Sequence, residues 1–273
     1  MEDFSQKQVT VLIPNYKTLE ITQICLRLLR KNTDFKRVRV IVIDNDSRDA
    51  SLDYLRSIKW IELIERKPEA DDTPALSHAR ALDLALEKVN TPFVLSIHTD
   101  TFIRRPDWLD VLLEPFAQDR TLAGVGSWKL ESKNWFQRLG RRIEGGWKIA
   151  LYRLTGRRTF RLERFDDSLH YLRSHCAMYR TDFIRALKTS FSDEGAVAGS
   201  VMHRKMVDAG YRMLFMSSEE LGQYVDHLNH ATMVLNPELG SSVSNIRSGK
   251  KRVGVKLRGI DADAILSNAA LDN

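Results

Sequence analysis

Cysteine is scarce in this chain. Cys25 and Cys176 are the only two among 273 residues, and both fall within apolar segments without the paired spacing of a disulfide framework or a zinc site. The small, disulfide-stapled secreted class is therefore excluded, and a reducing compartment fits best. Long hydrophobic runs are missing too: no stretch approaches the roughly 18 apolar residues that a membrane-spanning helix needs. The opening residues, MEDFSQKQ, are polar and acidic where a secretory signal would be basic and then apolar, so the expected location is cytoplasmic. Internal repeats and recognised nucleic-acid motifs are absent, and no nucleic acid partner is expected. No glycine-rich basic loop follows the first apolar run, which argues against a nucleotidyltransferase on a similar sheet.

What remains is a globular composition, 43% hydrophobic, with a core near the upper size that one domain supports. The formal charge of +6 suits an anionic partner without choosing one. Val9 to Ile13, Val38 to Ile43, Trp60 to Ile64 and Phe93 to Ile97 are short apolar runs rich in Val and Ile, read as buried parallel strands. Between them, 19–31 and 75–89 place apolar residues at helical spacing. Alternating strand and helix predicts an α/β fold, a layered Rossmann-like sheet with helices on both faces. The second half is less regular. A strand is expected near 175–179, a helix near 198–209 and a strand over 211–216; beyond Leu239 a loosely attached or mobile segment is expected.

In such sheets ligands gather beyond the carboxyl ends of the strands. Three of those ends here are polar: Pro14-Asn15-Tyr16-Lys17, Asp44-Asn45-Asp46-Ser47 and His98-Thr99-Asp100-Thr101. Their order and spacing resemble the family-2 glycosyltransferases. Ile13-Pro14-Asn15-Tyr16-Lys17 is similar to that family's Ile-Pro-x-Tyr-Asn, and Asp44-Asn45-Asp46-Ser47-Arg48-Asp49 to its Asp-Asn-x-Ser-x-Asp. Ala79-Arg80 resembles an Ala-Arg pair that opens a helix. The likeness is good over about 9–130 and weak beyond. It implies a nucleotide-binding half (1–130), an acceptor half (131–240) and an extension (241–273), together forming one domain.

The resemblance implies a nucleoside-diphosphate sugar donor of UDP or dTDP type, bound by Pro14, Asn15, Tyr16, Asp44, Asp46, Arg80, His98 and Thr99. Tyr16 offers a face for a base to stack on, worth about 1–3 kcal/mol in single-strand binders. Asp44 can accept from a ring N–H, although both residues also suit plain turn and capping roles. The family's Asp-x-Asp reads His98-Thr99-Asp100 here, with histidine replacing the first carboxylate. Asp100 is then the expected ligand for Mn²⁺ or Mg²⁺, the exchange either favours the softer Mn²⁺ or weakens the metal dependence, and His98 either binds the ion or donates to a phosphate. His227 and His230 match a late histidine that some relatives direct at metal or diphosphate.

For the general base of an inverting transfer, the resemblance points to a carboxylate upstream of Gly210-Tyr211, hence Asp193 or Glu194, with Glu219 and Glu220 in reserve. The same Ser-Asp-Glu run also suits a helix cap. Trp135 to Leu154 reads as a basic amphipathic helix within a basic segment, 133–164. It suits either a cover for the sheet or peripheral contact with the inner face of a membrane carrying a lipid-linked acceptor. A carbohydrate acceptor is the alternative.

Overall fold

The computed structural model describes residues 7–128, 170–228, 234–236, 253–255 and 257–273. The chain runs β1 (Val9–Asn15), α1 (Leu19–Lys31), β2 (Val38–Asp44), α2 (Ala50–Ser57), β3 (Glu62–Glu65), α3 (Pro74–Leu86), β4 (Phe93–Ile97), β5 (Thr101–Ile103), α4 (Trp108–Gln118) and β6 (Leu122–Gly126). Then come β7 (Cys176–Arg180), helices Thr181–Ala186 and Ser200–Asp208, β8 (Arg212–Phe215), a short helix Ser218–Leu221, β9 (Val225–His227), and helix Ala262–Leu266 with the 3-10 turn Ala269–Asp272.

Every residue of β1 is buried, as a strand covered on both faces requires. α1 buries Ile21, Ile24, Cys25, Leu28 and Leu29, one stripe at helical spacing. α3 starts where Thr73 accepts a hydrogen bond from the Leu76 amide and Pro74 occupies the first turn, which needs no donor. The sheet order is β3-β2-β1-β4-β7-β6-β8, with β1 to β4 mutually parallel. The strand expected at 60–64 is real but only half-buried: β3 is the edge, paired with β2 alone.

β7 lies antiparallel between β4 and β6, and β8 runs parallel to β6. The carboxyl ends of β1, β2, β4 and β6 therefore share one rim with the amino end of β7. Gly126 permits this crossing, because a Cβ there would stand 2.6 Å from the Cys176 carbonyl. Two apolar layers sandwich the sheet, one under α1 and α4, the other under α3 and the helix Ser200–Asp208. Beside the rim, β5 and β9 form a separate antiparallel ribbon with Thr101 opposite His227.

Residues 257–273 differ from the loose attachment expected of them. Arg27, 4% exposed, donates to both carboxylate oxygens of Asp272 and to the carbonyls of Ile265 and Leu266. Tyr54 donates to the same carboxylate at 2.8 Å. A buried arginine with that many acceptors holds the end of the chain firmly on α1 and α2.

Candidate active site at the strand rim

The strand order reverses between β1 and β4, and that is where a sheet of this kind opens a crevice. β1 pairs with β4 only as far as Leu12, so Pro14, which has no N–H to give, falls just past the ladder. Lys17 and Thr18 follow with φ of 54° and 62°, a sharp turn that leaves Tyr16 half-buried with the Lys17 ammonium 5.1 Å from its ring centre.

On the β2 side a buried polar network fixes the loop. Asn15 Nδ2 donates to Asp44 Oδ1 at 2.7 Å and approaches Ser47 and Ser51. Thr22 donates back to Asn15 Oδ1, and the Ser47 amide donates to Asp44 Oδ2 at 2.9 Å. Asn15 and Asp44, both essentially inaccessible, thus build the wall of the crevice. Asp46 keeps 28% of its side chain exposed and pairs with Arg48.

On the β4 side four imidazoles cluster about the Asp100 turn, two of them against its carboxylate. The Asp100 carboxylate, 4% exposed, lies 3.1 Å from His227 Nε2 and 3.8 Å from His98 Nδ1 through its Oδ1. These three ligand atoms all fall within 4.8 Å of one another. Ligands at bond lengths of 2.0–2.2 Å from one divalent ion stand about 3–3.5 Å apart; Asp100 and His227 already have that spacing, and a small inward shift of His98 would complete it. The hydrogen bond from the Leu228 amide to the Asp100 carbonyl, at 2.9 Å, ties β9 to this turn.

Around them, His175 stacks on His227 with ring centres 4.6 Å apart and planes 15° from parallel, and its Nε2 is 3.1 Å from Ser127 Oγ. His78, on α3, meets His98 edge-on at 4.7 Å. The Ser174 hydroxyl sits between these two, 2.9 Å from His98 Nε2 and 3.2 Å from His78 Nε2. Burial drives the His98 pKa well below the usual imidazole range, reinforced by the neighbouring histidines and opposed by Asp100. Burial likewise lowers His78 to about 4, again against the pull of Asp100. His98 is thus held as a neutral imidazole beside the Asp100 carboxylate, which is the state a metal requires of a histidine ligand.

With this geometry in hand, comparison with known families is decisive: the model of glycosyl transferase family 2 matches residues 10–188, from β1 to just past the helix after β7. The chain belongs to that family. This family 2 protein is a glycosyltransferase, and solved structures share its fold. A mannosyltransferase of Pyrobaculum calidifontis, in complex with GDP-Man and Mn²⁺, is 17% identical over 97% of this chain and 75% of its own, with a TM-score of 0.55. The S. aureus protein TarS (1–349), in complex with UDP-GlcNAc, is 16% identical over 95% of this chain and 70% of that one, with a TM-score of 0.54. Among curated protein sequences nothing matches.

The family 2 fold gathers Pro14, Asn15, Tyr16, Asp44, Asp46, His98, Thr99, Asp100 and His227 at one rim. It does not bring the Arg80 guanidinium into contact with them, though Arg66, which shares Asp72 with it, donates to Asn45 just past β2. The Arg80 guanidinium is held by Asp71, Asp72 and Glu69 in the loop before α3, a network that also includes the buried Arg66. Nor does it bring Asp193 or Glu194 to the rim. Asp193 is bound by Thr189, Ser190 and Lys205, while Glu194 is paired with Arg204. The backbone just before them, at Phe191 and Ser192, is pinned by Asp83. Asp83 lies five residues beyond His78, about 7.5 Å along α3 away from the rim. Glu220 sits in a short exposed helix capped by Ser217. His230 and the segment 133–164 lie outside the described residues. His78, Ser174, His175, Ser127 and Arg66 were not singled out by the sequence, since their partners are distant along the chain.

Proposed function

We propose that this family 2 glycosyltransferase moves a sugar from a nucleoside-diphosphate donor of UDP or dTDP type to a carbohydrate or lipid-linked acceptor. The observation that carries the reading is the His98–Asp100–His227 group at the same crevice as Tyr16. Tyr16 stacks the base, Asp46 lies within the loop that faces it, and Thr99 neighbours the ribose. His98, Asp100 and His227 would hold Mn²⁺ or Mg²⁺, a reading supported by the Mn²⁺ present with GDP-Man in the Pyrobaculum mannosyltransferase complex. A divalent ion there supplies the positive charge that offsets charge building on a departing diphosphate.

The reaction is taken to invert the anomeric centre, with the acceptor hydroxyl attacking from the face opposite the diphosphate. Assembly of cell-surface polysaccharide or glycolipid, at the cytoplasmic side, is the setting. The excess of basic charge favours an anionic surface nearby, and no helix among the described residues is long and apolar enough to cross a membrane.

Thermal stabilisation by UDP, dTDP and GDP, with and without Mn²⁺, tests this on the wild type and Asp100→Ala. A nucleotide at 100 times its Kd adds about 2.7 kcal/mol. Metal-dependent stabilisation by one nucleotide that the variant loses supports the reading. Stabilisation by none, with or without metal, overturns the proposed donor and its metal-assisted site.

A further inference from the structure

The Ser174 hydroxyl, placed between His98 Nε2 at 2.9 Å and His78 Nε2 at 3.2 Å, has one proton to give and lone pairs to accept with, so it can link the two imidazoles by donating to one while accepting from the other. If His98 Nε2 carries a proton, it donates to Ser174 Oγ, and the Ser174 hydroxyl donates onward to His78 Nε2. The Nδ1 lone pair of His98 is then bare and faces the Asp100 carboxylate at 3.8 Å, beside His227 Nε2. The opposite polarity puts the proton on Nδ1 and removes that nitrogen from the ligand set.

We propose that His78 and Ser174 are positioning residues that fix the tautomer of His98, making its Nδ1 a third metal ligand and giving the site two nitrogens and one carboxylate. This rests on the metal site of the functional reading above. The relay comes from two separate elements, α3 and the segment before β7, and converges on His98, the histidine just past the end of β4. Partners that hold the non-ligating nitrogen of a histidine orient the ring and raise its basicity. Two imidazoles and one carboxylate suit Mn²⁺ and the later first-row ions, Co²⁺ and Zn²⁺ above all, whereas Mg²⁺ prefers oxygen and gives up its water reluctantly. The relay is therefore also a device for metal selection.

Binding of Co²⁺, Mn²⁺ and Mg²⁺ alone, by calorimetry and by the visible absorption of bound Co²⁺, tests the proposal on the full chain without any sugar donor. Wild type is expected to bind Co²⁺ and Mn²⁺ more tightly than Mg²⁺. Ser174→Ala and His78→Phe are expected to weaken Co²⁺ by about 10–100-fold and to alter its spectrum. His78→Gln, whose amide oxygen can accept from Ser174 where Nε2 did, is expected to recover most of that loss. His78→Phe keeps the ring that packs on His98, so a purely structural role for His78 would give the reverse order. His98→Asp should shift the preference back toward Mg²⁺.

Thermal melting identifies any variant that fails to fold, and the comparison of His78→Phe with His78→Gln then stands on its own. Unchanged Co²⁺ affinity in both Ser174→Ala and His78→Phe, or an unchanged Co²⁺-to-Mg²⁺ ratio in His98→Asp, overturns the proposal while leaving the metal site intact. Failure of the wild type to bind any of the three ions removes the metal site itself.

Discussion

Arg27 Nε donates to Asp272 Oδ1 at 2.8 Å, joining the middle of α1 to the 3-10 turn Ala269–Asp272. Burial alone would raise the Asp272 pKa, but the hydrogen bonds from Arg27 and Tyr54 and the Arg27 charge carry it below the usual carboxylate range. A depressed carboxyl pKa stabilises the fold above the unfolded value, about 3.9, and that contribution disappears as pH falls through the folded value. Asp272→Asn is expected to unfold about 2–3 kcal/mol more easily at neutral pH. The gap to wild type, followed by urea titration at several pH values, should be flat above about pH 5 and close at strongly acid pH.

Asp193 is expected to support the fold and to take no part in transfer. Burial works to raise its pKa, yet hydrogen bonds from Lys205, Thr189 and Ser190 bring it down to about 2. Asp193→Asn should cost about 2 kcal/mol at pH 7, an advantage that wild type loses between about pH 4 and pH 2. Once donor and acceptor are known, kcat of the folded variant should match wild type within a factor of two or three on the order-of-magnitude scale of such measurements. A loss of a thousandfold would return this residue to the role of general base.

Both thiols are expected to be inert while the protein is folded. Cys25 is buried with its Sγ 3.2 Å from the Thr101 carbonyl, and burial, helped by the Asp100 charge, pushes its pKa far above the ordinary thiol range. Burial raises Cys176 to about 12. A chromogenic disulfide reagent at pH 8 should find neither thiol in the native state and both after denaturation. Fast native labelling would mean that the layer between α1 and the β5 turn opens readily.

Gly126→Ala should damage the rim from below. The new Cβ would lie 2.6 Å from the Cys176 carbonyl and 3.1 Å from Ala177 Cα, both backbone atoms of the neighbouring strand. Overpacking of this kind costs about 1–3 kcal/mol, and relief requires β7 to move away from β6. His175 immediately precedes β7, so calorimetry should show both a lower Tm and weaker Mn²⁺ binding. A lower Tm with unchanged Mn²⁺ affinity would show that the strand shift stops short of His175.

The parallel half of the fold was legible because β1, β2 and β4 are apolar runs too short for helices and α1 repeats its apolar residues every three or four positions. β7 was expected as a strand, yet nothing in Cys176–Arg180 states that it runs antiparallel; direction comes from what lies beside it. α4 escaped the sequence reading, and it carries Pro115 inside its last turns. At the site, Asp100 and His98 were legible as neighbours at one strand end. His78, Ser174 and His175 were not, since a lone histidine on an amphipathic helix or before a strand looks the same whether or not another element brings a partner to it.

His227 reaches Asp100 only because β9 returns to pair with β5. In a chain that emerges from the ribosome amino end first, β1 to β4 can pair, and Tyr16 can take its place, long before β9 exists. Half of the strand rim is thus encoded well ahead of the residue that completes the His98–Asp100–His227 group. Three late residues, Val225 to His227, therefore complete that group, and a chain truncated ahead of them would carry only His98 and Asp100 of its three members.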